Sequence, residues 1–266
     1  NNKPIQKNIA KVLEKKYLKN VKLISTVSEY FAAIIKKNVC DKPFAIIPNG
    51  YDENVLTENI KTPQNNELLT ISLAGTIDQY HPYKQFLNVI SDYLEKNPNR
   101  KIRVNFYGIN NEKEISDILE QSCILKNKIK IFPKIPNNKL IQELYKSNVL
   151  LLFNYYSIVG TKIYDYLALN RKIILCFEND EEANLLKEKH FKFKSIKGLS
   201  ESLQADLIRK TNSGIVVKDS EHLYEVLNDL CNEFEEKAYI ECQTVGAENY
   251  SRKVQTKKIV GVLKNI

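Results

Sequence analysis

Methionine is missing from all 266 residues, the initiator included, so the chain is expected to be part of a longer translated product. Long apolar runs are missing too. None approaches the roughly eighteen residues needed to cross a bilayer, and the opening NNKPIQKN lacks the apolar core and small-residue cleavage site of a secretory signal. Cysteine is sparse. Cys40, Cys123, Cys176, Cys231 and Cys242 are odd in number and form no close pairs, and Cys176 falls in a strand-like run, which argues against a disulfide framework or a zinc site. Histidine is scarcer still: His190 and His222 sit in polar stretches without metal-ligand spacing, and neither a Ser-His-Asp nor a Cys-His set can be assembled. No metal site is expected from these residues. A soluble or peripheral protein of the reducing cytoplasm, possible partner of the inner membrane face, fits these absences.

Acidic residues are scarce at one end. Residues 1 to 50 hold ten lysines against Glu14, Glu29 and Asp41, which accounts for seven of the chain's net charge of +8. Within this end, Ile5, Ile9, Val12, Leu13 and Tyr17 recur at helical spacing, while Lys7, Lys11, Lys15 and Lys19 recur every fourth residue on another face. The spacing predicts a basic amphipathic helix over residues 5 to 19. Its lysine stripe is either solvated or meets an anionic surface such as a membrane. No interleaved aromatics or reader motif accompany it, so nucleic acid is not an expected partner.

Val21 to Val27 is β-branched and reads as a strand, Ser28 as the N-cap of a helix from Glu29 to Lys37, and Phe44 to Ile47 as a second strand ending at Pro48-Asn49-Gly50. The polar stretch from Asp52 to Glu67 reads as a loop, which places a boundary near residues 45 to 65. Beyond it strands and helices alternate. Strands are expected at Leu68 to Leu73, Ile102 to Tyr107, Lys128 to Phe132, Val149 to Phe153, Lys172 to Cys176 and Gly214 to Val217. Helices are expected at Lys84 to Leu94, Glu112 to Gln121, Asn137 to Lys146, Asp180 to Glu188 and Ser220 to Phe234, with a further helical stretch at residues 235 to 246 and a final amphipathic helix from Tyr250 to Leu263. Strands joined by helices of this length imply right-handed crossovers, hence an α/β fold with a Rossmann-like parallel sheet covered on both faces.

Such sheets bind ligands beyond the carboxyl ends of their strands. The candidates are therefore Gly75 and Thr76, Gly108, Pro133 and Lys134, and the loop from Asn154 to Lys162. Tyr155 to Ile174 concentrates the chemistry: Gly160 permits close backbone approach, a helix begins near Thr161 and Lys162, and Asp165 lies one turn in. A nucleotide or phosphate suits these residues; an ordinary strand, loop and helix punctuated by one glycine would also carry them. Lys84 is placed for a phosphate contact, although it could equally cap its helix, and His81 lies in the loop between Gly75 and Lys84. The tyrosines at 155, 156, 164 and 166 read mainly as packing.

In order along the chain, these motifs resemble the carboxyl-terminal half of a GT-B fold glycosyltransferase of the retaining family 4 type. The resemblance rests on Val27-Ser28-Glu29, Ile46-Ile47-Pro48-Asn49-Gly50-Tyr51-Asp52, Leu73-Ala74-Gly75-Thr76 with Lys84, Gly160-Thr161-Lys162-Ile163-Tyr164-Asp165-Tyr166-Leu167-Ala168, and Tyr250-Ser251-Arg252. It implies that residues 1–45 end an amino-terminal, acceptor-side domain, that 46–247 form a nucleotide-sugar-binding Rossmann-like domain, and that 248–266 form a helix packing back on the amino-terminal part. It further implies transfer of a sugar, with retention, from a nucleoside diphosphate sugar to a glycan or lipid-linked acceptor, as in polysaccharide biosynthesis. Asp165 would then hold the ribose hydroxyls, Lys84 and Lys162 the diphosphate with backbone amides near Gly160 and Thr161, and Ile135 with Lys134 the base, with no metal and no cofactor required beyond the sugar donor itself. Two positions depart from the family pattern. Ser157 stands where a second Glu is usual, and Thr76 where an Arg is usual, so a non-catalytic nucleotide-sugar-binding module is the alternative. No catalytic residue can be assigned.

Overall fold

The protein is described from a computed structural model, which describes residues 4–54, 63–191 and 195–265, without the side chains of residues 4–7 and 11. Leu69, Ile71, Leu73, Val149, Leu151, Ile173 and Ile174 are all buried, because consecutive residues of a parallel strand face opposite covered sides. Six such strands form the main sheet: β3 (Leu69–Ala74), β4 (Ile102–Tyr107), β5 (Ile129–Phe132), β6 (Val149–Phe153), β7 (Lys172–Cys176) and β8 (Gly214–Val216), in the parallel order β5-β4-β3-β6-β7-β8. Two short strands, β1 (Ile24–Thr26) and β2 (Phe44–Ile46), pair in parallel apart from it.

Helices cover both faces. On one side lie α3 (Tyr83–Lys96), α4 (Glu112–Glu120), α5 (Cys123–Lys128) and α10 (Ser220–Lys237), whose Phe86, Ile90, Tyr93, Leu227 and Leu230 pack with the odd-numbered positions of β3. On the other lie α6 (Asn137–Lys146), α7 (Lys162–Leu169) and α9 (Leu203–Thr211), with Ile141, Tyr166, Leu167 and Ile208. Each such side chain removed from water contributes about 1.5–3 kcal/mol of transfer free energy. Polar groups caught in the sheet are bonded: Ser147 Oγ donates to Ser72 Oγ at 2.7 Å, and Asn148 Oδ1 accepts from the Thr70 amide at 2.8 Å. The remaining helices are α1 (Pro4–Leu18), α2 (Glu29–Asn38), α8 (Glu181–His190) and α11 (Arg252–Leu263). Ser28 caps α2 as expected, its Oγ accepting from the Phe31 amide at 3.3 Å.

Three expectations need correction. Residues 235 to 246 do not form a further helix. The helix of Ser220–Lys237 stops where Ala238 turns left-handed (φ 60°), and the extended chain after it is fixed by Gln64, whose amide donates to Ile240 O and accepts from Ile240 N at 2.8 and 2.9 Å. The short helices α5 and α9 form where no helix is expected. The last helix has no apolar stripe turned to the core: at 100° per residue Ile259, Val260 and Leu263 fall within one arc of about 100°, but that arc is exposed, and Val254 lies on the opposite side. Of the polar stretch from Asp52 to Glu67, residues 55–62 lie outside the described ones.

The topology fixes where a ligand can sit. From β3 the chain builds outward to β5, then returns through α6 to place β6 on the other side of β3 and builds outward again to β8. The connections therefore diverge between β3 and β6, opening a crevice at their carboxyl ends.

Candidate functional site

A cavity of about 210 Å³ occupies that crevice, lined among others by Thr76, His81, Tyr155, Gly160, Thr161 and Lys162. A second, of about 320 Å³, lies past the ends of β4 and β5 between Gly108, Lys134, Ile135 and Leu140. Thr76 and Lys162 line both, so the two form one cleft.

Lys162 is its centre. As the first residue of α7 it stands at the helix end that carries free amides and positive dipole charge. The helix is held to the sheet by Tyr166, fully buried, whose hydroxyl accepts from the Ala74 amide at 3.0 Å. This seating lays the Lys162 chain across Gly75, whose φ of +93° suits glycine and where any Cβ would collide with the Lys162 ammonium. Burial lowers the pKa of Lys162 to about 8, with Asp78 and then Asp165 opposing the shift. The ammonium is thus charged at neutral pH but short of compensating charge, which favours an anionic ligand.

His81 is buried at 3% exposure, its ring stacked on Phe153 at 5.5 Å and edge-on to Tyr80 and Tyr155. Its Nδ1 accepts from the Asp78 amide at 2.9 Å, while Nε2 has no hydrogen-bond partner. Burial pushes its pKa down to about 4; Asp78 opposes this and Lys162 adds to it. Beside it, Asp78 Oδ2 accepts from Tyr80 and Tyr155 hydroxyls at 2.7 and 3.3 Å.

Asp165 lies on the first turn of α7 but lines neither cavity; it faces the segment where the chain crosses near residues 50 and 251. Burial raises its pKa to about 6; Arg252 draws it down, Asp52 pushes it up, and Lys162 draws it down. At the crossing, Arg252 N donates to Tyr51 O at 2.8 Å, Tyr51 N donates to Tyr250 O at 3.1 Å, and the Arg252 guanidinium reaches Asp52 at 3.3 Å.

The structure thus brings together Gly75, Thr76, His81, Ile135, Gly160, Thr161 and Lys162 of the residues expected from sequence, with Asp165 one helical turn behind. Lys84 stands apart. Its ammonium pairs with Glu114 at 2.8 Å on a half-exposed surface and lines neither cavity. Ser157 is buried at 1% exposure. Sequence reasoning missed Asp78 and Gln204. The buried Gln204 accepts from the Tyr155 amide at 2.6 Å and so sets the loop after β6; it lies on α9, whose Leu203, Leu207 and Ile208 recur at helical spacing and are the signal that was passed over. Among the described residues no group of three His, Cys, Asp or Glu is placed to hold a metal ion.

No protein-family model matches the chain, and neither does any curated protein sequence. Solved structures do match it. Sucrose-phosphate synthase from Thermosynechococcus elongatus superposes with a TM-score of 0.65 at 11% identity, over 97% of this chain and 61% of that one. The fold is that of one Rossmann-like half of a GT-B glycosyltransferase. Anabaena HepE, solved with UDP and glucose, gives 0.62 at 11% identity over 98% and 67% of the two chains, and a glycosyltransferase from Rickettsia africae gives 0.59 at 15% over 94% and 66%. The chain therefore spans about 61% of the length of the first of these structures.

Proposed function

We propose that the chain is the donor-binding part of a glycosyltransferase that moves a sugar from a nucleoside diphosphate sugar to a glycan or lipid-linked acceptor, with retention. One observation carries the reading: an under-neutralised, half-buried ammonium, Lys162, sits over Gly75 at the switch point of the sheet, between two cavities that share it. A diphosphate supplies the charge that Lys162 lacks. The cavity at Ile135 and Lys134 takes the base, and Asp165 takes the ribose hydroxyls after a small shift of the first turn of α7. The Gly160–Thr161 loop and the start of α7 surround the phosphates. When the sugar leaves, negative charge grows on the phosphate, and a fixed ammonium with aligned amides stabilises that charge more than it stabilises the intact donor. Lys84 joins only by exchanging its surface pair with Glu114, so its removal costs less than that of Lys162.

Titration calorimetry against UDP and GDP tests the reading. One of them is expected to bind, and failure of every nucleoside diphosphate would sink it. The alternative, a nucleotide-sugar-binding module without catalysis, is favoured by Ser157, which leaves no carboxylate at that position. Sugar transfer or donor hydrolysis by the protein in its complete cellular form separates the two; binding without either reaction supports the module.

The exposed Ile9, Val12 and Tyr17 of α1, at 54, 66 and 69%, lie on a helix rich in lysine. No helix among the described residues is long and apolar enough to cross a membrane. This favours peripheral attachment to an anionic inner membrane surface. Flotation with phosphatidylglycerol vesicles is expected at low salt and to fall as salt rises; unchanged flotation after Lys7, Lys11, Lys15 and Lys19 are replaced by Gln overturns it.

A further inference from the structure

The Nε2 of His81 is buried and without a hydrogen-bond partner on a residue that lines the inner cavity, and its protonation follows from a single hydrogen bond. A backbone amide can only donate, so the bond from the Asp78 amide makes Nδ1 an acceptor. In the neutral ring the proton then belongs to Nε2. Burial and the nearby Lys162 ammonium both disfavour a second proton. His81 is therefore a neutral N–H donor, locked in tautomer by Asp78 and in orientation by Phe153, Tyr80 and Tyr155, and it belongs to the lining of the inner cavity.

Its neighbours narrow what it can bond. Lys162 offers only donors, and the start of α7 adds amides at the same cavity. Asp78, the one carboxylate beside His81, already accepts two tyrosine hydroxyls. A sugar hydroxyl could meet His81 alone, but it would set its own proton among donors. A group with acceptors only, and negative charge for Lys162, answers both residues: a phosphate oxygen.

We infer that His81 and Lys162 form a two-point clamp for the terminal phosphate of a nucleoside diphosphate, with His81 as the neutral positioning donor that makes the cleft prefer a diphosphate to a monophosphate. This rests on the donor-site reading above, which puts the base beside Ile135 and so carries the distal phosphate inward to the cavity at His81. A neutral donor suits the place because it bonds the phosphate without adding a second buried cation beside Lys162. Such a bond to a charged oxygen is shorter and roughly twice as strong as one between neutral groups.

The test compares UDP with UMP, and GDP with GMP, by calorimetry on the whole chain and its variants. The unmodified chain is expected to prefer the diphosphate. His81→Phe keeps the ring packing but removes the donor, and is expected to narrow that preference about tenfold, the size of one charge-assisted hydrogen bond, with monophosphate affinity unchanged. His81→Gln, whose side-chain amide retains an N–H near Nε2, is expected to restore most of it. A full diphosphate preference in His81→Phe overturns the clamp while leaving nucleotide binding standing; binding of no nucleotide to the unmodified chain overturns the donor-site reading and the clamp with it. Should His81→Phe fail to fold, the unmodified chain still decides. The Nε2 proton resonance of His81 is expected to move downfield on adding UDP and not on adding UMP, and a resonance unmoved by saturating UDP overturns the clamp.

Discussion

Replacing Lys162 with Met is expected to remove measurable binding of nucleoside diphosphates, a loss of a hundredfold or more, while making the fold more stable at pH 7. The two effects share one cause. In the unfolded chain the lysine ammonium is hydrated and keeps its ordinary pKa, whereas burial beside Gly75 lowers it to about 8. A base with a lowered pKa costs the folded state most below that pH and nothing once pH exceeds its ordinary value, so the cost is fully present at pH 7. Met fills the same channel without charge, and a gain of about 1–2 kcal/mol is expected after discounting for partial exposure. Affinity moves the other way, because Lys84 is engaged with Glu114 and Lys134 lines only the outer cavity, away from the inner one at Lys162. Calorimetry with UDP or GDP and thermal melts of both forms read the two quantities. A variant that binds as tightly as the parent, or melts well below it, would refute this account of Lys162.

Asp165→Asn is expected to weaken nucleotide binding ten- to hundredfold and to change the shape of its pH dependence. The raised pKa of about 6 means that the folded chain holds this proton more tightly than the unfolded chain does. Its stabilising contribution is complete below the ordinary carboxylate pKa and is lost as pH rises through about 6. At neutral pH Asp165 is therefore a charged, imperfectly compensated acid whose value lies in what it can bind. With Asp165 ionising near 6 and Lys162 losing its proton near 8, diphosphate affinity of the parent chain should be highest between these values and fall on either side. In Asp165→Asn the acid limb shrinks to the part owed to the ligand's own terminal phosphate, which also titrates near pH 6, the limb near 8 remains, and stability above pH 6 rises by about 1 kcal/mol. An acid limb of undiminished size in that variant would clear Asp165 of any share in it.

The alternation of strands and helices announced the main sheet closely, since fully buried parallel strands read as near-continuous apolar runs and Gly75 and Gly108 mark where two of them end. The loop around Gly160 and the position of Lys162 were equally legible, because the dipole and chain reversal at a helix start follow from local sequence. What lay beyond reach depends on partners distant in sequence. Lys84 looks free until Glu114, thirty residues on, is folded against it. His81 gains its character from the amide of Asp78 and rings of Phe153 and Tyr155, and Gln204 acts on the loop after β6 from 49 positions further along the chain. The stretch at 235 to 246 opens on good helix formers, Glu235, Glu236, Lys237 and Ala238, yet Gln64 holds its middle extended through two hydrogen bonds across 176 positions.

At residues 50 and 251 the chain passes the same place twice, going out and coming back, and the two passages are laced so tightly that a methyl group at Gly50 would strike the Tyr250 carbonyl. Arg252 belongs to this lacing and also supplies the favourable field felt by Asp165, in competition with Asp52. The proton affinity of the acid one turn behind the cleft is therefore a gauge of how the two passages sit. Any force that draws Arg252 from its seat makes Asp165 harder to ionise, and by reciprocity a ligand that demands an ionised Asp165 pulls Arg252 home and cinches the two passages together.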